Sequence, residues 1–289
     1  MGLAVALGAC AAPSSPARVA SDDDSAAPAH SGGSDSAAPS PSPAPDYSGG
    51  ACPTLTAGTN TFATGDTTYS VEVWLPPESD GAPLLFAWHS LGNTATGIVS
   101  GMGLEPLVAA EGIILIASQS SGAPTEWRIL DTPTNNPDYR LFEDLLACAW
   151  RQWGVDLDRV WSTGMSAGGL WTSYLTMHGA KWLAATAPMS GGSTIYNTPE
   201  EPIPAMLTWG GEADTYDGLS FDRASVNLSE GLRGDGSFVV ECVHDRGHAL
   251  PPWGFEPAWT FLKAHPKGVT PEPWAGALPD SMPAECRIP

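Results

Sequence analysis

The sequence predicts an α/β protein: a mostly parallel, twisted sheet with helices on both faces. Three observations carry this. Strand-like and helical segments alternate along most of the chain. Several strands are unbroken apolar runs, as strands covered on both faces are. A hairpin precedes the alternation.

The hairpin comes first. Thr59 to Thr64, a Gly65-Asp66 turn and Tyr69 to Leu75 alternate in polarity with a period of two. Pro83 opens the first buried strand, Leu84 to Trp88, and Ile113 to Ala117 is the second. Leu104 to Glu111 reads as a short helix between them. Leu141, Leu145, Ala149 and Trp153 share one face of a helix from Leu141 to Trp153. Arg159 to Ser162 then reads as a strand and Ser166 to His178 as a helix. Leu183 to Pro188, Pro204 to Trp209 and Phe238 to Val243 complete the strands, and Phe221 to Leu232 and Glu256 to His265 the helices. Residues 266–289 are Pro-rich and are expected to wrap the surface as an irregular tail.

Composition bounds the organisation. A chain of 289 residues with 42% hydrophobic content can bury one sizeable core, here assigned to a single domain over residues 51–289. The formal charge of −20, from 32 acidic and 12 basic residues, repels phosphate backbones and argues against nucleic-acid partners. Gly2 to Ala9 is an apolar run too short to span a bilayer, and it ends Leu7-Gly8-Ala9-Cys10. That tetrapeptide resembles the lipobox of bacterial lipoproteins, although a charged n-region is missing. Residues 1–10 are therefore expected to be a lipoprotein-type signal, with Cys10 as a lipid-bearing N-terminus. Residues 11–50, rich in Ser, Ala, Pro, Gly and Asp, cannot bury enough apolar surface to offset the entropy of ordering. They are expected to form a disordered tether with a reach of roughly 35 Å. The protein should be exported, either secreted or anchored at the cell surface or in the periplasm, and monomeric.

Cys52, Cys148, Cys242 and Cys286 remain, an even number that suggests two disulfides in one of three connectivities. Cys52 and Cys286 bracket the domain, and a bridge between them would tie down both ends. No C-x-x-C or H-E-x-x-H spacing calls for a metal, and no cofactor is expected.

Gly164-Met165-Ser166-Ala167-Gly168 fits G-x-S-x-G at the turn between a strand and a helix. A serine presented from so tight a turn has strained dihedrals, and the strand and helix approach too closely for flanking side chains. A serine hydroxyl attacks only if a base takes its proton and an acid orients that base. The expected order is Ser, then Asp or Glu, then His, each after a later strand. Asp214 follows the strand ending at Trp209 and leads over Glu212, Asp217 and Asp222. His248, after Gly247 and before Pro251, is a better base than His244, which continues its strand. His178 and His265 sit at helix ends, and His30 lies in the tether. The N–H groups of Ala167 and Leu91, the latter in the loop His89-Ser90-Leu91-Gly92-Asn93, are the expected oxyanion donors.

These residues resemble a family of α/β-hydrolases comprising polyhydroxybutyrate depolymerases and feruloyl or acetylxylan esterases. Its carriers are Val155-Asp156-Leu157-Asp158-Arg159-Val160, then Gly164 to Gly169, Asp214, and Gly247-His248-x-x-Pro251. The resemblance implies an α/β-hydrolase fold, which the short connection from Pro188 to Pro204 leaves without a large lid, and a serine carboxylic-ester hydrolase that forms an acyl-enzyme. It gives Ser166, His248 and Asp214 the roles of nucleophile, base and orienting acid, and it puts Trp127 beside the substrate. Two departures stand out. The family's His-Gly-x in the oxyanion loop is His89-Ser90-Leu91 here, and its G-H-x-W-P is Gly247-His248-Ala249-Leu250-Pro251, so Trp253 is the nearest tryptophan for the cleft. Between Pro188 and Pro204 the chain is short and lacks an apolar helix, which predicts an open cleft for small or polymer-end esters. The alternatives are a catalytically silent binding protein of the same fold and a serine peptidase.

Overall fold

A computed structural model describes residues 43–122 and 126–289. Nine strands form one sheet in the order β1-β2-β4-β3-β5-β6-β7-β10-β11. The hairpin β1 (Gly58–Thr64) and β2 (Thr67–Trp74) pairs antiparallel onto the rest, through β2 against β4 (Ile114–Ser118). From β4 the sheet runs parallel through β3 (Leu84–Trp88), β5 (Val160–Met165), β6 (Ala185–Met189), β7 (Ala205–Trp209) and β10 (Val239–Val243). A two-residue strand, β11 (Cys286–Arg287), closes the far edge antiparallel to β10. A separate small hairpin, β8 (Thr215–Tyr216) with β9 (Leu219–Ser220), stands after β7.

The helices are α1 (Ala95–Met102), α2 (Glu105–Glu111), α3 (Pro137–Trp153), α4 (Ala167–His178), α5 (Phe221–Gly234) and α6 (Glu256–Ala264). Alternation along the buried strands divides the core in two. Leu84, Phe86 and Trp88 of β3 join Leu141, Phe142 and Leu145 of α3, Trp171 and Leu175 of α4 and Leu228 of α5. Leu85 and Ala87 face the other way, with Ile98 and Val99 of α1, Val108 of α2 and Trp259 and Leu262 of α6. A strand sandwiched this way has no polar face, which is why it reads as a continuous apolar run.

Several boundaries moved for local reasons. Helix α3 begins four residues before the expected Leu141, because the Asn136 side chain accepts from the N–H groups of Asp138 and Tyr139. Helix α1 was not foreseen. Its Gly97, Gly101, Thr96 and Val99 are poor helix formers, but Thr94 caps it and Ile98, Val99 and Met102 are buried. The tail expected to be irregular contributes β11 and buries Trp274 against Phe261.

The disulfides are Cys52–Cys148 and Cys242–Cys286. The expected Cys52–Cys286 bridge is therefore corrected. Cys242 and Cys286 are register partners on adjacent strands, and Cys148 on α3 faces the segment that carries Cys52. The folded region also starts before residue 51. Tyr47 donates to the Ala63 carbonyl, and Ser48 gives its N–H and hydroxyl to the buried Asp144 carboxylate at 2.7 and 2.6 Å. Cys10 and residues 11–42 lie outside the described residues. Among the described residues no helix is long and apolar enough to cross a membrane.

Candidate active site

The site gathers at the C-terminal ends of the parallel strands, where an open α/β sheet leaves a crevice. Ser166 connects β5 to α4 with φ 57° and ψ −119°, a left-handed backbone that a serine adopts only under constraint. The constraint is close packing on both sides. A Cβ on Gly164 would sit 2.7 Å from the Trp88 carbonyl, and one on Gly168 would collide with the same carbonyl. Gly168 is thus fixed by how closely β3 approaches the turn, and Gly164 by the Gly168 backbone as well, whose carbonyl a Cβ would meet at 2.5 Å.

Three later loops deliver the partners. His248 Nε2 lies 2.8 Å from Ser166 Oγ, and His248 Nδ1 lies 2.6 Å from Asp214 Oδ1. Asp214 is fully buried, and its other oxygen accepts from Ser190 Oγ at 2.7 Å and from the Gly210 N–H at 2.9 Å. A carboxylate can only accept, so Nδ1 carries the proton and Nε2 turns a lone pair to the serine. The two loops meet where Gly210 lies against the Gly247 backbone, with no room for a side chain. The imidazole stacks on Phe221 with ring centroids 4.4 Å apart, and Tyr216 of β8 flanks it at 5.7 Å.

Ser166 opens into a cavity of about 510 Å³, lined by Leu91, Trp127, Ala167, Leu170, Tyr216 and Phe221 among others. Leu91 and Ala167 thus flank the nucleophile, and no hydrogen bond among the described residues engages either N–H. The loop carrying Leu91 is anchored from several directions. Ser90 Oγ donates to the Met165 carbonyl at 3.0 Å, so this serine ties the loop to the residue before Ser166. His89 is buried, its Nδ1–H donating to the Ser90 carbonyl, while its Nε2 accepts from Gln119 and from the Ser120 N–H, both at 3.0 Å. Burial pushes the His89 pKa down and keeps the ring neutral.

The two tryptophans differ. Trp127 touches the cavity but is 4% exposed; it stacks on Trp171 and donates to the His89 carbonyl at 3.0 Å. It also packs against the rings of Trp88 and His89, beside the loop that carries Leu91. Trp253 packs edge-on against His244 and is not among the residues lining this cavity. His244 is buried and interacts with Trp253 and the Arg246 N–H, consistent with a structural part. Ser190, Tyr216 and Phe221 were not foreseen; only Gly191-Gly192 after a strand end hinted that Ser190 sits in a tight turn. Among the described residues no group of three or more His, Cys, Asp or Glu side chains is placed to hold a metal ion.

No protein-family model matches the chain. An oxidized polyvinyl alcohol hydrolase of Sphingopyxis sp. (strain 113P3) is 26% identical over 180 residues, 47% of this chain and 50% of that protein. The bifunctional acetylxylan esterase/xylanase XynS20E of Neocallimastix patriciarum is 23% identical over 146 residues, 50% of this chain and 21% of that protein. The chain thus spans half or less of the length of these curated relatives. The solved structure of native sOPH aligns with 82% of this chain and 96% of its own at a TM-score of 0.70 and 20% identity. A ferulic acid esterase aligns with 71% of this chain and 96% of its own at a TM-score of 0.54 and 18% identity. The chain has the α/β-hydrolase fold.

Proposed function

We propose that this protein is a serine carboxylic-ester hydrolase that works through an acyl-enzyme. The observation that carries this is the continuous relay Ser166–His248–Asp214, at 2.8 and 2.6 Å, opening into a cavity beside two unengaged N–H groups. Ser166 Oγ attacks the ester carbonyl while its proton passes to His248 Nε2, and the carbonyl electrons move onto oxygen. The N–H groups of Leu91 and Ala167 receive that oxyanion. As the C–O bond to the alcohol breaks, His248 returns the proton to the leaving oxygen. Water, deprotonated by His248, then releases the acid and restores Ser166. Asp214 holds the ring in the required tautomer and stabilises the imidazolium.

The resemblance and the relatives' names together point to feruloyl or acetyl esters of polysaccharides, or to hydroxyalkanoate and similar polyesters, as the substrate class. The β6–β7 connection forms no helix, which favours an open cleft over a lidded acyl tunnel. Two disulfides suit an oxidising compartment, so an exported protein, tethered through Cys10 or released, is the proposed setting. The test is hydrolysis of p-nitrophenyl acetate by the wild type and by Ser166→Ala. The variant should lose roughly a thousandfold or more in kcat. Equal rates in the two proteins would refute the reading.

A further inference from the structure

The cavity at Ser166 continues past its own wall. A second recess of about 250 Å³ adjoins it, and the two share Ile129, Leu130, Asp131, Leu170 and Leu219. Helix α4 supplies residues to both. Leu170 stands four residues beyond Ser166, Tyr174 eight, Met177 eleven and His178 twelve, and every one of them lines the second recess. That spacing keeps them close to one stripe of the helix. At about 1.5 Å per residue the stripe extends roughly 18 Å from the nucleophile.

The rest of the lining comes from residues 129–133, from Leu219 of β9, and from Gly192 to Ile195 with Asn197 in the short β6–β7 connection. Where a lidded enzyme would carry a helix, this chain has part of a groove. Its surface is unusual in one respect. Of the seven large hydrophobic side chains exposed among the described residues, Leu91, Leu130, Ile195 and Tyr216 all line these two recesses. Leu130 is 83% exposed and Ile195 65%. Apolar side chains scattered singly need no explanation, but four gathered on one cleft mark a binding surface.

Charge limits the occupant. Glu126, Asp131 and Asp217 border the cleft at Ser166 against one cation, Arg128, which already faces Asp131 at 3.7 Å. Deeper in the groove, burial pushes the His178 pKa down, so this ring adds no positive charge. An anionic chain would be repelled along this path and would find no free cation among the described residues that line it.

We propose that the recess lined by Leu130, Leu170, Tyr174, Met177 and Ile195 is a second substrate subsite. It holds an uncharged, largely apolar stretch of the same molecule whose ester lies at Ser166. The enzyme therefore selects an ester within or at the end of a chain over an isolated small ester. This rests on the ester-hydrolase reading, and it adds a determinant of substrate size and charge some distance from the reacting atoms.

The test measures kcat/KM over two series, p-nitrophenyl esters from acetate to decanoate and acetates of alcohols of the same lengths. In the wild type, efficiency should rise by about tenfold or more with length in one series, as added methylenes leave water. An ω-carboxylate at the end of the favoured chain should abolish that gain. The ratio of long-chain to acetyl efficiency should fall at least fivefold in Ile195→Asp and recover in Ile195→Leu. Ile195 is largely exposed, so both variants should fold. Flat profiles in both series, or a ratio unaffected by Ile195→Asp, would overturn the subsite while acetate turnover still upheld the hydrolase. A wild type inert toward every ester would overturn both.

Discussion

Ser190 Oγ donates to Asp214 Oδ2 at 2.7 Å, on the carboxylate oxygen opposite the one that faces His248. Ser190 is buried at the end of β6 with a φ of 42°, so it reaches the carboxylate from a strained backbone. Together with the Gly210 N–H it leaves Asp214 little freedom to rotate. Ser190→Ala removes a charge-assisted hydrogen bond worth about 1.5–3 kcal/mol. The expected result is a fall in kcat of roughly ten- to a hundredfold with KM nearly unchanged, read from steady-state kinetics on p-nitrophenyl acetate. A change confined to KM would contradict a positioning role.

Asp214→Asn should do more harm than Ser190→Ala. An amide can donate to Nδ1 and so favours the tautomer in which Nε2 carries the proton and cannot accept from Ser166. A loss in kcat on the order of 10³–10⁴ is expected, with the fold intact by circular dichroism. Retention of more than a tenth of the activity would remove Asp214 from the relay.

Gly168→Ala tests the packing that creates the serine turn. The added methyl would meet the Trp88 carbonyl, which is backbone within the central strand β3 and cannot swing away. Overpacking of this kind costs about 1–3 kcal/mol or more. The expected outcome is a lower denaturation midpoint in urea together with lost activity, and an unchanged midpoint would show that the turn has slack.

His89 should make stability depend on pH. Its folded-state pKa lies below the ordinary value of about 6.5, because burial disfavours the charged ring. The unfolded chain then binds more protons in the window between the two values. Stability is complete above about pH 6.5 and is lost as pH falls toward the folded-state pKa, by at most about 1.4 kcal/mol per pH unit for one group. His178 and His244 are shifted in the same direction by burial and add to the slope. Chemical denaturation at pH 7.5, 6.5 and 5.5 should show a shallower decline in His89→Gln than in the wild type. Equal slopes would mean that the ring is not held neutral.

Replacing Cys52 and Cys148 together by alanine removes the covalent tie between the segment before β1 and α3, across a separation of 96 residues, and leaves the hydrogen bonds of Ser48 and Leu55 to that helix. Loss of about 2–5 kcal/mol of stability is expected. The Ser166–His248 geometry lies on other elements, so activity at low temperature should survive. Inactivation without unfolding would assign that bridge a part in the site.

Much of this architecture was readable from local pattern. The apolar run Leu84 to Trp88 announced a strand covered on both faces, and its bounds agree with β3. The glycines around Ser166 carried the turn, because close packing of the turn on itself and against the Trp88 carbonyl leaves no room for a Cβ there. Asp214 and His248 were singled out by their order after later strands, and the folded chain brings His248 within hydrogen-bonding distance of both Asp214 and Ser166. Helix α1 was missed for the opposite reason. Its own residues resist helix, and burial of Ile98, Val99 and Met102 overrides them.

By itself, then, the sequence determined what short-range chemistry determines: the alternation of elements, the strained serine turn and the residue types of the relay. Only the tertiary structure decided which cysteines pair, that Trp127 donates to the His89 carbonyl, that Ser190 grips Asp214, and that a second recess extends along α4. Most of these depend on residues two dozen or more positions apart being brought into contact. Periodicity and spacing describe only neighbours along the chain; the crossovers of a parallel sheet choose the neighbours across it.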